Sequence, residues 1–163
     1  MAAERRLLLL RHGIAEERGG ATPEPLRALT PVGRRRSEAV VRRLVSLGLG
    51  ADRLVSSPLL RARQTAEIAV AAGLAPGLEL AEALVPGGDA LRVVRAAGPG
   101  RLMLVGHEPD LGLLACRLLG AAAGALTLRK AGLAVLSLDP QPSLRLLLAP
   151  KVLLAAASAT EPG

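Results

Sequence analysis

Two histidines occur in the chain, His12 and His107, and each follows an apolar run. The segments read Leu7-Leu8-Leu9-Leu10-Arg11-His12-Gly13 and Leu102-Met103-Leu104-Val105-Gly106-His107. Short apolar runs ended by glycine read as buried strands. In open α/β sheets, ligands bind at the carboxyl ends of the strands. A lone histidine after a strand is usually structural. Two in one topological position, with none elsewhere, point to imidazole chemistry, either proton transfer or nucleophilic attack. A third strand, Arg53 to Ser56, runs into Ser57-Pro58-Leu59-Leu60-Arg61-Ala62-Arg63-Gln64-Thr65 and places Arg61 in the first turn of a helix. Helix N-termini attract anions, and a guanidinium there adds a planar fork matched to phosphate oxygens. Arg63 lies two positions on, faces another side of the helix and reads as solvent-exposed. Arg11 beside His12 completes a set of two imidazoles and two guanidiniums.

These residues need a sheet to gather them. Arg5 to Arg11 reads as the first strand, and residues 14–29, rich in Gly, Pro and charge, as a loop. Thr30 is an expected helix N-cap with Pro31 at the first helical position, and apolar residues at helical spacing continue to about Leu47. The segment from Ser57 to about Ala72 reads as the next helix. A strand is expected at Leu78 to Ala81, a helix from Asp89 to Ala97, a strand at Leu102 to Val105 and a helix from Pro109 to about Leu119. Leu133 to Leu138 and Leu144 to Leu148 read as a closing hairpin around Asp139, Pro140 and Pro142. Residues 1–155 are expected to form one domain and 156–163 a flexible tail. Strands alternating with helices argue for a sheet covered on both faces.

Composition narrows the partners. The 163 residues carry a formal net charge of +7 and no Phe, Trp or Tyr. Single-strand binders stack bases on aromatic rings, so nucleic acid is disfavoured. The charge reads as a solvated surface or as attraction for an anionic substrate. Arg117, Arg129 and Lys130 interrupt the apolar stretch near 111–136, so no membrane span is expected. Leu7 to Leu10 is too short for the apolar region of a signal peptide. Cys116 is the one cysteine; it reads as a buried structural thiol, and the lack of a disulfide framework suits a cytoplasmic protein.

Arg11-His12-Gly13, Ser57-Pro58-Leu59-Leu60-Arg61-Ala62 and Gly106-His107-Glu108-Pro109, in this order and spacing, resemble the histidine phosphatase superfamily. More closely the chain is similar to its small branch, the SixA-type phosphohistidine phosphatases. Arg27-Ala28-Leu29-Thr30-Pro31-Val32-Gly33 and Leu84-Val85-Pro86-Gly87-Gly88-Asp89 add to the likeness, with Ala28 in place of the usual proline. The resemblance spans about residues 6–150 and lacks the long insertions of larger members. It implies a three-layer α/β/α sandwich, phosphoglycerate mutase-like, with a mostly parallel sheet and the two histidines over one pocket.

It further implies that His12 attacks phosphorus and forms a phosphohistidine intermediate. Arg11, Arg61 and His107 then bind and neutralise the phosphoryl oxygens. No metal and no cofactor is expected, because two guanidiniums supply the positive charge. Glu82 and Asp89 are the candidates for a general acid, neither in an unambiguous motif. Glu108 reads as structural, and Arg18, Arg27 and Lys130 as surface or ion-pair residues within possible reach of a substrate. Gly13 is expected to let the backbone turn sharply. The expected substrate is a phosphorylated protein, as phosphohistidine. A small phosphorylated metabolite on the same site and a non-catalytic phosphate-binding module remain the alternatives.

Overall fold

The structure, a computed structural model, describes residues 4–158. Six strands form one sheet: β1 (Arg6–Arg11), β2 (Arg53–Ser56), β3 (Leu78–Leu80), β4 (Arg101–Gly106), β5 (Leu133–Ser137) and β6 (Ser143–Leu148). Their order is β3-β2-β4-β1-β5-β6. The first four are parallel, and β5 and β6 run antiparallel as a hairpin on the β1 side. Five helices connect or follow them: α1 (Pro31–Ser46), α2 (Leu60–Ala71), α3 (Ala90–Ala96), α4 (Asp110–Leu119) and α5 (Pro150–Ser158).

The Leu7 to Leu10 run is apolar throughout because both faces of β1 are covered. Successive strand side chains point to opposite faces. Leu8 and Leu10 join a core with Val40, Val41 and Leu44 of α1, Ala62, Ala66 and Ala69 of α2, and Leu153 of α5. Leu7 and Leu9 join a second core with Leu91 and Val94 of α3 and Leu111, Leu114 and Ala115 of α4. These are the three layers of an α/β/α sandwich. Without aromatic rings, both cores close on aliphatic side chains. Cys116 is one of them, buried as a free thiol.

Several boundaries differ from those read in the sequence. Helix α2 begins at Leu60, because the chain bends at Pro58 and Leu59 as it leaves β2. The loop 14–29 contains a short 3-10 turn at Glu24–Leu26 and an isolated bridge between Ala15 and Leu29. Helix α5 is an addition: Leu153 carries it onto the α1 face. It reaches Ser158, so the tail expected from 156 begins as helix, and residues 159–163 lie outside the described residues. The Thr30 cap forms as expected, with its side chain accepting from the Gly33 N–H at 2.9 Å.

Candidate active site

The carboxyl ends of β1, β2 and β4 lie side by side in the sheet, with β1 and β2 flanking β4. Arg11 is in register with Gly106, and Ser56 with Val105. That adjacency brings His12 and His107 together, with ring centroids 5.2 Å apart and planes inclined at 56°. Both are buried, at 7 % and 3 % exposure. The Arg11 and Arg61 charges press on both imidazoles, so all four groups share one electrostatic environment.

His12 is held in one tautomer. Its Nδ1 lies 2.7 Å from the Gly13 carbonyl oxygen, which can only accept, so Nδ1 carries the proton. The Nε2 lone pair is then free. Burial, and after it the neighbouring positive groups, push the His12 pKa down to about 3 against the opposing Gly13 bond. A buried imidazole kept neutral with a directed lone pair is a nucleophile ready to attack.

His107 is arranged the other way round. Its Nε2 lies 2.8 Å from Ser57 Oγ, which itself accepts from the Leu59 N–H at 3.2 Å. The hydroxyl has one proton and two lone pairs, so either ring tautomer makes this bond, and Nδ1 is left outside it. Burial and the Arg61 charge push the His107 pKa down to about 4. The result is a neutral imidazole.

That Nδ1 is a buried polar atom without a hydrogen-bond partner, as are Arg11 Nε and Arg61 Nε. Buried polar atoms are almost always satisfied, so each orphan calls for an explanation. Glu16 Oε2, Ser37 Oγ and Arg43 Nε are orphaned too, but the three on Arg11, Arg61 and His107 belong to the residues whose charges act on His12, an arrangement suited to an anion. Arg61 is 1 % exposed, and burial pulls its pKa down from the usual guanidinium range. Arg11 is anchored by Nη1 to the Leu128 carbonyl at 2.9 Å.

The local sequence explains how these groups are set. Thr65 Oγ1 donates to the Arg61 carbonyl at 2.8 Å and accepts from the Gly13 N–H at 3.1 Å, tying α2 to the nucleophile loop. Gln64 Oε1 accepts from the Leu29 N–H at 2.8 Å. Gly13 has an ordinary backbone angle, so the expected sharp turn is not its role. A Cβ there would lie 2.1 Å from Ser37 Oγ, and one at Gly33 would lie 2.0 Å from the Ile14 carbonyl oxygen. The two glycines let α1 pack directly against the nucleophile loop. Ala131 adopts φ 61°, and its N–H meets the Arg11 and His12 carbonyls. The left-handed region costs an L residue about 1–2 kcal/mol; here it steadies the nucleophile's own backbone.

Glu24 is a site residue that the sequence reading missed. Its Oε1 lies 2.9 Å from Arg61 Nη2, and its carbonyl oxygen accepts from Arg61 Nη1 at 3.1 Å. Arg27 binds the same carboxylate through Nε and Nη2 at 2.7 and 2.8 Å. The Arg27 bond, with the Arg61 and Arg18 charges, holds Glu24 ionised with a pKa of about 2. Arg27 is therefore a buried ion-pair residue, 7 % exposed, and not a surface one. Arg18 stands 4.0 Å from the same carboxylate. No signal in the loop sequence singles out Glu24, because the contact joins residues 37 positions apart.

The other candidates have no hydrogen bond or ion pair with the two histidines or with Arg61. Asp89 caps α3, accepting from the Arg92 N–H, and lines a separate depression with Gly87, Asp110 and Arg117. Glu82 opens a short 3-10 turn after β3, with no ion pair or hydrogen bond to His12, His107 or either arginine. Glu108 accepts from the Gly112 N–H at 2.7 Å and serves the first turn of α4. Arg63 pairs with Glu67 on the exposed face of α2. Lys130 is exposed beside Arg129. Among the described residues no group of three or more His, Cys, Asp or Glu side chains could hold a metal ion. No helix among them is long and apolar enough to cross a membrane.

The profile of the histidine phosphatase superfamily (branch 1) matches residues 7–85. An uncharacterized protein of Picosynechococcus is 42 % identical over 134 residues, covering 78 % of this chain and 81 % of that one. The solved structure of the protein histidine phosphatase SixA complexed with tungstate superposes with a TM-score of 0.78 at 25 % identity, covering 91 % of this chain and 99 % of the other. A structure named as a phosphohistidine phosphatase SixA, from Nakamurella, gives a TM-score of 0.71 at 28 % identity over 91 % and 98 %. The chain belongs to the histidine phosphatase superfamily. It is a phosphatase with the phosphoglycerate mutase-like fold, similar to the SixA proteins.

Proposed function

We propose that the chain removes phosphoryl groups from phosphohistidine side chains of proteins, through a covalent intermediate on His12. The observation that carries the mechanism is the pairing of a neutral His12, its Nε2 lone pair free, with three buried unpartnered nitrogens on Arg11, Arg61 and His107. In the first step His12 Nε2 bonds to phosphorus as the bond from phosphorus to the substrate nitrogen breaks. The departing imidazole keeps the pair of that bond and takes up a proton. Water then cleaves the new N–P bond and releases orthophosphate, which restores His12. Arg11, Arg61 and His107 hold the equatorial oxygens, where charge sits in the transition state.

The substrate class follows from the leaving group. An alkoxide needs a general acid, whereas imidazole leaves well once protonated. No hydrogen bond joins Glu82 or Asp89 to the paired histidines, Asp89 caps α3, and Glu24 is held as a carboxylate by arginines. A leaving group that needs the least help from an acid suits this site best, which favours an N–P substrate over a phosphomonoester. The likeness to the SixA structures, one of them holding tungstate, points to the same substrate class.

The test is a panel comparing a phosphorylated histidine-containing phosphotransfer domain with phosphorylated metabolites and p-nitrophenyl phosphate, judged by kcat/KM. The phosphodomain is expected to lead, and His12→Ala is expected to abolish both turnover and labelling of the enzyme by phosphoryl donor. A metabolite preferred over the phosphodomain would overturn the substrate class. Turnover surviving in His12→Ala would overturn the mechanism.

A further inference from the structure

Beside the phosphoryl site runs an open cleft of about 560 Å³, and Arg11 forms part of its wall. Arg36 of α1, Arg129 and Lys130 of the loop before β5, and Lys151 of α5 supply four more cations, and no carboxylate lines it. Outside it, Arg5, Arg6, Arg27, Arg53, Arg61, Arg63 and Arg101 each meet an acid, while others such as Arg34, Arg92 and Arg145 stand without an ion pair among the described residues. What sets the cleft apart is that five cations share one wall: none of them forms an ion pair among the described residues, and Glu108, whose charge is felt at Arg11, does not line it. Positive charge left unpaired on one wall is a field directed at an incoming anion.

Apolar groups accompany the charge. Ile14 and Val152 line the cleft. The three most exposed large apolar side chains are Val152 at 61 %, Leu26 at 58 % and Val32 at 57 %. Val152, the most exposed of them, is part of the cleft wall itself. Val32 lies one helical turn before Arg36 on the same face of α1. A small polyanion would use the cations alone and gain nothing from apolar groups in the wall. A protein surface uses both, since interfaces combine an apolar centre with charge complementarity.

We propose that this cleft docks the acidic, partly apolar surface surrounding the phosphorylated side chain of a protein substrate. The inference rests on the phosphoprotein reading above and adds which face of the enzyme recognises the protein. Arg11 joins the two sites, since it stands next to His12 in the chain and also lines the cleft.

The experiment compares the wild type with Arg36→Glu/Lys151→Glu and with Val152→Ser. None of these residues belongs to the phosphoryl cradle. The probes are p-nitrophenyl phosphate and a phosphorylated histidine-containing phosphotransfer domain whose face around the histidine is acidic. In the double charge reversal kcat/KM for the phosphodomain should fall by about tenfold or more, mainly through KM, as loss of complementary charge does. Val152→Ser should lower it by a smaller factor. Turnover of p-nitrophenyl phosphate should stay at the wild-type value in both, which also shows that the variants fold. Raising salt should weaken the wild type toward the charge-reversed variant. Equal losses on both probes, or no loss on the phosphodomain, would overturn the docking site. So would a cleft-dependent binding to anionic phospholipid vesicles that exceeds binding to the phosphodomain. A wild type active on p-nitrophenyl phosphate and inert toward the phosphodomain would sink the substrate class, and the docking site with it, before any cleft variant is measured.

Discussion

Lowering the pH from 7 to 5 should destabilise the folded chain by about 4 kcal/mol through its two histidines alone. An imidazole in the unfolded chain titrates near 6.5. In the folded chain His12 is pushed down to about 3 and His107 to about 4, in both cases chiefly by burial. Between pH 6.5 and the folded values, the unfolded chain binds more protons, so stability rises with pH. The stabilisation is fully present above the unfolded pKa and is lost as pH falls toward the folded ones. Over this interval the unfolded imidazole goes from about one quarter protonated to about 97 %, while the folded ones stay almost uncharged. Each contributes about 2 kcal/mol of the change. Burial raises Glu108, which works in the opposite direction. The comparison with a His12→Asn/His107→Asn chain therefore isolates the imidazoles. Urea unfolding at pH 7 and pH 5 reads the energy. Because the chain has two histidines, the two ring Cε1–H resonances give both titrations directly by NMR. A midpoint near 6.5 for either ring, or equal pH dependence in wild type and double variant, would refute the neutral, buried imidazole pair and with it the unprotonated nucleophile.

The other expectations concern single contacts. Arg61→Ala should lower kcat by about 10²–10³, or about 2.7–4 kcal/mol, as removal of an oxyanion donor does, measured with p-nitrophenyl phosphate. Ser57→Ala should leave His107 Nε2 unpaired, lowering kcat by about tenfold, the worth of one buried hydrogen bond, with KM little changed; Ser57→Thr should restore it. Glu24→Gln should strengthen competitive inhibition by orthophosphate several-fold, because an anion no longer shares Arg61 with the product. Thr65→Val keeps the shape but orphans the Gly13 N–H, and should cost about 1–3 kcal/mol in urea unfolding.

His12 and His107 were legible because each ends an apolar strand, and Arg61 because Ser-Pro-Leu-Leu-Arg-Ala follows β2. Pattern and position carry such residues, since a parallel sheet sends all its carboxyl ends to one edge. Glu24 and Ser57 were not legible in the same way. Their parts depend on a side chain reaching another one 37 and 50 positions away. Glu82 and Asp89 show the converse. Both are acids at plausible places in the chain, and neither has a hydrogen bond or ion pair with the paired rings. Helix α5 escaped notice because the chain ends soon after it and its apolar content has weak helical periodicity; packing of Leu153 against the α1 layer defines it.

By itself, the amino-acid order determined that this is an α/β chain with aliphatic cores, two histidines and two arginines at or just beyond strand ends, and a positive balance of charge. Those properties are local, or follow from periodicity and from strand ends sharing one edge of a sheet. Tertiary structure decided which ring nitrogen is free, that both rings are neutral, that a carboxylate already braces Arg61, and that the unpaired cations share one cleft with Arg11. Tautomer, proton affinity and pairing depend on distances between residues far apart in the chain, and those distances exist once the layers close.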